Sequence, residues 1–192
     1  MSPPRLILAS TSPYRHALLQ RFGLPFEVAR PEVSEAHVDG ELPPDRAARL
    51  SLAKAQAAAR KHPDAVVIGS DQVAACGHTV LDKPGSAERC RAQLTQLSGS
   101  VARFHTSCTV LTPELRTVHL DTTTVMMRAL SADEIERYVE RERPFDCAGS
   151  FKVESLGIAL FESIETCDPT ALIGLPLIWL AGALRGLGYP LP

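Results

Sequence analysis

The hydrophobic and polar positions in the first half of the chain form two kinds of segment. Continuous apolar runs at Leu6–Ala9 and 65–69 are typical of buried strands, and 26–30 resembles a shorter strand. After the first run, apolar residues at helical spacing predict a helix that ends at Gly23. An Ala-rich stretch over 45–61, opened by two prolines and closed by a third, predicts a long helix.

In the second half, two alternating stretches are typical of paired strands, and the Thr112-Pro113-Glu114 segment between them predicts a hairpin turn. Ser131 and Glu134 have the spacing of a capping box, which marks the start of a helix. The predicted elements are a helix over 86–97, strands over Val101–Leu111, 118–128 and 157–162, and helices over 131–141 and 176–187.

The order strand–helix–strand–helix–strand, followed by a long hairpin, predicts an α/β fold with a mixed β-sheet flanked by helices. No internal repeat, low-complexity tract or long linker divides the sequence. A chain of 192 residues can bury a substantial core. We therefore expect a single domain over 1–192, with two lobes around a central cleft.

Composition and charge narrow the class of protein. The chain is 45% hydrophobic and 22% charged, which is typical of a globular protein, and its formal net charge of -2 argues against a nucleic-acid partner. Five widely spaced cysteines without a CxxC pair indicate a reducing, cytoplasmic setting. The N-terminus lacks a signal-peptide profile, and the most apolar segment, 171–184, is too short to span a bilayer. We expect no membrane association.

The first strand leads into the sequence Ser10-Thr11-Ser12-Pro13-Tyr14-Arg15-His16, which suits a phosphate site. Backbone N–H groups at a helix N-terminus favour an anion, and Arg15 can make a two-pronged contact with phosphate oxygens. The same residue types also cap helices for structural reasons, so this motif alone leaves both readings open.

Four further polar residues stand out. Asp71 ends a predicted buried strand, Lys54 lies inside the predicted Ala-rich helix, and the other two lie in a loop and a turn, namely Glu35 and Lys83. A carboxylate at the end of a buried strand, as predicted for Asp71, is suited to a general base or a metal ligand. Two carboxylates suit Mg²⁺ or Mn²⁺, and lysines beside them would neutralise a polyphosphate. Read singly, each has an ordinary alternative: a turn residue, a solvated helix residue or a loop residue.

Together these segments resemble the Maf family of nucleotide pyrophosphatases over nearly all 192 residues. The matching motifs are Leu-Ala-Ser-Thr-Ser-Pro at 8–13, Lys54-Ala55, Gly69-Ser70-Asp71-Gln72, Lys83-Pro84, Ala148-Gly149-Ser150-Phe151 and Gly174-Leu175-Pro176. The resemblance implies a Maf/ITPase-like fold, a homodimer, and hydrolysis of a nucleoside triphosphate between its α and β phosphates, dependent on a divalent cation, Mg²⁺ or Mn²⁺.

The resemblance also implies roles for single residues. Asp71 matches the proton acceptor for the attacking water, and Glu35 matches a second acidic position near the metal, so that Glu35 and Asp71 are the expected metal ligands. The remaining matches are to phosphate-handling positions: Ser10, Arg15, Lys54 and Lys83.

Three positions at which the family varies with substrate read Tyr14, Gln72 and Glu154. This set resembles the branch associated with 7-methyl-GTP, whereas the dTTP/UTP branch tends to have Arg, Thr and Gln. A 7-methylated guanine carries a positive charge that an aromatic face attracts, and a carboxylate can accept its N–H groups. The alternative is that Tyr14 packs on its own helix and Glu154 belongs to the surface.

Two residues depart from the family pattern. His16 stands where a second arginine is usual, and histidine is only partly charged near neutral pH, which would weaken phosphate binding. Ser34 stands where an aspartate is common, which removes one carboxylate near the metal. Neither departure involves Asp71, so we expect activity to survive.

Three other functions are compatible with parts of the sequence. The same chemistry could act on dTTP, UTP or another modified nucleotide. The chain could instead be a non-catalytic, nucleotide-binding regulator of septum formation, although Asp71, Lys54 and Lys83 argue for retained catalysis. A serine or cysteine hydrolase built on Ser10 or Cys76 is disfavoured, because no GxSxG elbow is present.

Overall fold

The computed structural model describes residues 3–192. Seven strands and five α-helices are present in this range. The strands are β1 (Leu6–Ala9), β2 (Glu27–Val28), β3 (Val66–Cys76), β4 (Thr79–Val80), β5 (Val101–Leu111), β6 (Arg116–Met127) and β7 (Phe161–Glu165). The helices are α1 (Pro13–Gln20), α2 (Pro43–Ala59), α3 (Ala87–Leu97), α4 (Ala132–Glu142) and α5 (Leu177–Gly186).

All seven strands belong to one mixed sheet, in the order β2-β1-β3-β5-β6-β7, with β4 paired to β3. β1 runs parallel to both of its neighbours, with Leu8 opposite Val28 of β2 and opposite Ile68 of β3. The pairings of β3 with β4 and of β6 with β7 are antiparallel. The predicted α/β fold with a mixed sheet is therefore confirmed.

The described chain forms two compact units. One contains the described residues as far as Gln72, together with Thr106–Asp121 and Asp168–Pro192, and the other contains Val73–His105 and Thr122–Cys167. We call them the first unit and the second unit. The interpretation of residues 1–192 as one domain with a cleft between two lobes stays a prediction.

In the first unit, the alternation of side chains along β1 builds two apolar layers. Leu6 and Leu8 join a core cluster with residues of α1 and α5, whereas Ile7 and Ala9 pack in a second cluster with residues of α2. All four β1 side chains are buried, which explains why the strand reads as a continuous apolar run.

The second unit contains two helices whose starts follow from local chemistry. The side chain of Ser86 accepts a hydrogen bond from the backbone of Arg89 and caps α3. Ser131 and Glu134 form the predicted capping box of α4. The backbone N–H of Ser131 donates to the Glu134 carboxylate, and this bond, together with those from Arg128 and the Ser131 hydroxyl, lowers the pKa of that group to about 2.

Two strand predictions were wrong in extent. The predicted strand over 26–30 is reduced to Glu27–Val28, because it pairs only with the short β1 and lies between Pro25 and Pro31. The strand predicted over 65–69 continues to Cys76. The polar residues that follow Gly69 do not form a turn, because their side chains find partners on α2, on β5 and in the segment Ala171–Gly174.

A third prediction, a strand over 157–162, was wrong at its start and agrees with the structure only at Phe161 and Glu162. Leu156–Leu160 form a 3₁₀ turn, and β7 begins only at Phe161. The chain folds so tightly onto itself here that a Cβ on Gly157 would lie 2.2 Å from the carbonyl oxygen of Lys152. Apolar alternation could not reveal this close approach. Within residues 3–192, no helix is both long and apolar enough to cross a bilayer.

Candidate active site

The approach of α2 to β3 depends on the absence of a side chain at Gly69. A Cβ at this position would lie 2.3 Å from the carbonyl oxygen of Ser51 and 2.7 Å from the backbone nitrogen of Ala55. On the same helix, the Ser51 hydroxyl lies 2.8 Å from the Ser107 hydroxyl and 3.0 Å from that of Thr109, both on β5. Helix and sheet are thus in backbone contact at the turn that carries Lys54.

Lys54 joins two carboxylates at this contact. Its Nζ lies 2.6 Å from Oδ1 of Asp71 and 2.6 Å from Oε1 of Glu35. The two oxygens can therefore be separated by no more than twice that distance. The side chains of Lys54 and Asp71 are each 9% exposed, whereas that of Glu35 is 58% exposed on its loop. The structure brings together one buried acid, one exposed acid and the cation between them.

The position of Asp71 differs from the sequence prediction. It does not end a strand but lies inside β3, where it is buried. A charged residue in the interior of a strand is tolerated when a partner of opposite charge satisfies it, and Lys54 does so here. The rigid strand therefore presents this carboxylate with little freedom of movement, which suits a group that must accept a proton in a defined geometry.

The predicted phosphate loop also lies in the first unit. Ser10 is buried directly after β1, and its Oγ accepts a hydrogen bond of 3.1 Å from the backbone N–H of Ser12. Ser12 in turn caps α1 by accepting from the N–H of Arg15. Both the capping interpretation and the helix N-terminus that could hold an anion are therefore present in the same loop.

Arg15 is partly buried, and its Nε donates a hydrogen bond of 2.9 Å to the carbonyl oxygen of Gly174. Burial lowers the pKa of its guanidinium from the ordinary value, while the negative charges of Asp71 and then Glu35 act in the opposite direction. Arg15 is thus within electrostatic reach of the two carboxylates that Lys54 joins, and it remains charged at any physiological pH.

A short segment, Ala171–Gly174, is fastened to the strands beside Asp71. Nε2 of Gln72 lies 3.0 Å from the carbonyl oxygens of both Ala171 and Leu172. Oγ of Ser70 donates to the carbonyl oxygen of Gly174 at 2.8 Å. Ser70 and Gln72, which flank Asp71 in β3, therefore both hold the same segment.

Asp168 and Thr170 stabilise the chain around this segment, and sequence reasoning did not single them out. Oδ2 of Asp168 accepts from the backbone N–H of Ile178 at 2.7 Å, and its Oδ1 accepts from the hydroxyl of Thr170 at 2.6 Å. The N–H of Leu177 donates to the same hydroxyl. The signal that could have found them is an aspartate two residues before a threonine, followed by a proline that directly precedes a helix.

The remaining predicted site residues are more exposed. Tyr14 is partly buried in the first turn of α1. Lys83 and Glu154 belong to the second unit and are exposed, Lys83 in the segment before α3 and Glu154 in the turn that precedes Leu156–Leu160. The roles of all the site residues stay predictions.

The two departures from the family pattern have local partners. The ring of His16 lies 5.1 Å from that of Phe26, measured between centroids. Oγ of Ser34 accepts a hydrogen bond from the backbone N–H of Ala36. His16 therefore packs beside an aromatic ring, and Ser34 shapes the loop that carries Glu35.

The donor set has the chemistry that Mg²⁺ prefers, namely hard carboxylate oxygens, and such ions usually take one or two carboxylates plus substrate phosphates. Between Pro3 and Pro192, no group of three or more His, Cys, Asp and Glu side chains is arranged to hold a metal. The carboxylates of Asp71 and Glu35 have the chemistry to hold a divalent ion that would take its other ligands from phosphate or water.

Fold and side-chain geometry together define an α/β protein with a mixed sheet and a lysine-bridged pair of carboxylates. The Ham1 protein of Staphylococcus aureus is similar in fold, with a TM-score of 0.54 and 15% identity over 95% of this chain and 98% of that one. Residues 5–187 match the family described as Maf-like protein, and the chain belongs to the Maf family.

Relatives in this family are similar over their whole length. The chain is 54% identical, over 98% of its own residues and 100% of the relative, to a protein of Xanthomonas axonopodis pv. citri named 7-methyl-GTP pyrophosphatase. Proteins of the same name from Aromatoleum aromaticum and Cupriavidus pinatubonensis are 52% and 50% identical, with coverage of 95% or more of both chains.

Proposed function

We propose that this protein is a nucleoside triphosphate pyrophosphatase that hydrolyses 7-methyl-GTP to 7-methyl-GMP and pyrophosphate. The observation that carries the proposal is full-length similarity, at 50–54% identity, to relatives named 7-methyl-GTP pyrophosphatase. The buried Asp71–Lys54 pair supports it, because it supplies the base and the cation that such a hydrolysis needs.

In the proposed reaction, a water molecule attacks the α-phosphorus, and the bond from that phosphorus to the α–β bridging oxygen breaks. Asp71 accepts the proton of the attacking water, and pyrophosphate leaves with the bridging oxygen. Lys54 keeps Asp71 and Glu35 in place and offsets negative charge that develops on the phosphates. Ser10, Arg15 and Lys83 bind the triphosphate.

We further propose that Mg²⁺ or Mn²⁺ assists the reaction, with Asp71 and Glu35 as its protein ligands. When bound, the ion would supply positive charge that neutralises the phosphate oxygens. The observation in favour is the meeting of the two carboxylates at Lys54 Nζ. Activity should therefore disappear in excess EDTA and return when Mg²⁺ or Mn²⁺ is added.

Recognition of the base is proposed for Tyr14 and Glu154, since an aromatic face and a carboxylate both suit a cationic, N–H-bearing purine. Replacing Tyr14 by Arg is expected to move the preference from 7-methyl-GTP toward dTTP and UTP. An unchanged ratio of kcat/KM values would remove Tyr14 from base recognition.

The decisive experiment is a nucleotide panel with Mg²⁺ or Mn²⁺, in which pyrophosphate is measured directly as product. We expect the highest kcat/KM for 7-methyl-GTP. Equal or better turnover of dTTP or UTP would defeat the substrate assignment, and release of orthophosphate in place of pyrophosphate would defeat the site of cleavage.

We also propose a cytoplasmic homodimer. All five cysteines are free thiols, which suits a reducing compartment. In the first unit, Val118 and Ile178 are exposed beside Trp179, and exposed apolar side chains that lie together often mark a protein interface. Light scattering coupled to size-exclusion chromatography should give twice the chain mass of 20.8 kDa.

A further inference from the structure

The amide of Gln72 has an orientation that its surroundings dictate. Its nitrogen lies 2.9 Å from the Thr106 hydroxyl and 3.0 Å from the carbonyl oxygens of Ala171 and Leu172. Carbonyl oxygens only accept hydrogen bonds, so the amide must turn its N–H groups toward them. The Thr106 hydroxyl itself donates to the Ala171 carbonyl, which leaves its oxygen free to accept from Gln72. The N–H groups of Gln72 are thus committed within the protein.

Gln72 binds the segment Ala171–Gly174, and the last carbonyl of this segment, that of Gly174, binds Arg15. Gly174 O accepts from Arg15 Nε at 2.9 Å and from Ser70 Oγ at 2.8 Å. Gly174 has φ +123°, a backbone conformation that other residues rarely adopt, and a Cβ there would lie 3.3 Å from Arg15 Nε. The carbonyl that orients Arg15 therefore depends on an unusual backbone conformation that its neighbours must maintain.

We propose that Gln72 is a positioning residue that holds Ala171–Gly174 and, through the Gly174 carbonyl, aims the guanidinium of Arg15 at the phosphates. The inference rests on the proposed function in assigning Arg15 to phosphate binding. It differs from the sequence-based expectation that Gln72 distinguishes bases. A residue acting through Arg15 affects every nucleotide alike, because the triphosphate is common to all of them.

Steady-state kinetics separate the two roles. In Gln72→Ala we expect KM to rise about tenfold for both 7-methyl-GTP and GTP, equivalent to about 1.4 kcal/mol. The ratio of their kcat/KM values should stay within about twofold of the wild-type ratio. The matched control is Gln56→Ala, an exposed glutamine on α2, which should leave both constants unchanged. A selective loss for 7-methyl-GTP would overturn the proposal in favour of direct base contact.

A double-mutant cycle tests whether the effect passes through Arg15. Arg15→Lys removes the Nε donor to Gly174 while it keeps the charge. In the Arg15→Lys background, adding Gln72→Ala should raise KM by less than about twofold relative to Arg15→Lys alone. Fully additive effects would contradict the proposal. A merely structural role for Gln72 would lower the Tm without this coupling.

A measurement without substrate keeps the inference independent of the proposed function. In ¹⁵N-labelled protein, the Nε–H resonance of Arg15, assigned from its absence in Arg15→Lys, should exchange with solvent at least tenfold faster in Gln72→Ala, because about 1.4 kcal/mol of protection is lost. Gln56→Ala should leave the rate unchanged. If the wild type hydrolyses no nucleotide, the proposed function fails, yet this rate still decides whether Gln72 controls Arg15. If the Nε–H of Arg15 exchanges at the same rate in Gln72→Ala and Gln56→Ala, the link between Gln72 and Arg15 is refuted.

Discussion

Adding one methyl group at Gly69 should separate the two buried members of the candidate site. In Gly69→Ala the new Cβ would lie 2.3 Å from Ser51 O and 2.7 Å from Ala55 N, whereas ordinary contacts begin at 3.4 Å. Both of these neighbours are backbone atoms of α2, so no side-chain rotation can relieve the overlap. The helix must withdraw from β3, and it carries Lys54 with it.

The size of the effect follows from these distances. A withdrawal of roughly 1 Å would lengthen the 2.6 Å contact from Lys54 Nζ to Asp71 Oδ1 beyond the range of a hydrogen bond. Overpacking of this kind costs about 1–3 kcal/mol, and a misplacement of about 1 Å in a catalytic group can cost on the order of 10²-fold in rate. For a chain of this length, that destabilisation corresponds to a Tm lower by roughly 2–12 °C.

The assay combines thermal unfolding with the rate of pyrophosphate release, measured well below the Tm of the variant. We expect Gly69→Ala to lose on the order of 10²-fold in kcat at a temperature where it is fully folded. The control is Gly186→Ala on α5, where a Cβ would meet no atom within 4 Å. That variant should keep its activity and gain slightly in stability, because Ala favours helix over Gly.

Wild-type turnover and Tm in Gly69→Ala would refute the reasoning. Such a result would mean that α2 has room to move without disturbing Lys54, or that the contact between Lys54 and Asp71 does not matter for the reaction. A loss of stability without a loss of kcat would distinguish these two explanations. It would show that α2 is displaced by the new methyl group, and that the contact between Lys54 and Asp71 is not needed for the reaction.

Three further predictions concern charged side chains. Asp71→Asn should lower kcat by at least ~10²-fold with nucleotide binding retained, as equilibrium dialysis and pyrophosphate release would measure, and undiminished turnover would exclude Asp71 as the base. Lys54→Met leaves Asp71 buried beside a neutral side chain and should lower the free energy of unfolding in urea by about 3–5 kcal/mol. The double variant Lys54→Met/Asp71→Asn should recover part of this loss. The folded-state pKa of Glu134 is lowered to about 2 from an ordinary 4.5, so its contribution is present above pH 4.5 and lost as the pH falls toward 2. The Tm difference between wild type and Glu134→Gln should therefore be constant above pH 4.5 and shrink below it, and a difference that does not change with pH would contradict this account.

Much of the fold could be predicted because the relevant interactions are local. The capping box of Ser131 and Glu134 lies within one helical turn, and β1 is buried on both faces and so reads as an apolar run. The extent of β3 could not be predicted in the same way. Polar residues after Gly69 look like the end of a strand until their partners on other elements are known.

The sequence alone determined the α/β fold class and the positions of most helices, and the order of its motifs predicted which acids and cations belong to the candidate site. The tertiary structure decided how they act on one another. Asp71 is a strand-interior group held by Lys54, and Gln72 is tied to a segment about 100 residues further along the chain. Helix periodicity and capping motifs depend on residues that are close in sequence, so they can be read from it. The contacts of Asp71 and Gln72 join residues that are distant in sequence. Only the packing of α2 and of Ala171–Gly174 against the strands brings them within hydrogen-bonding distance.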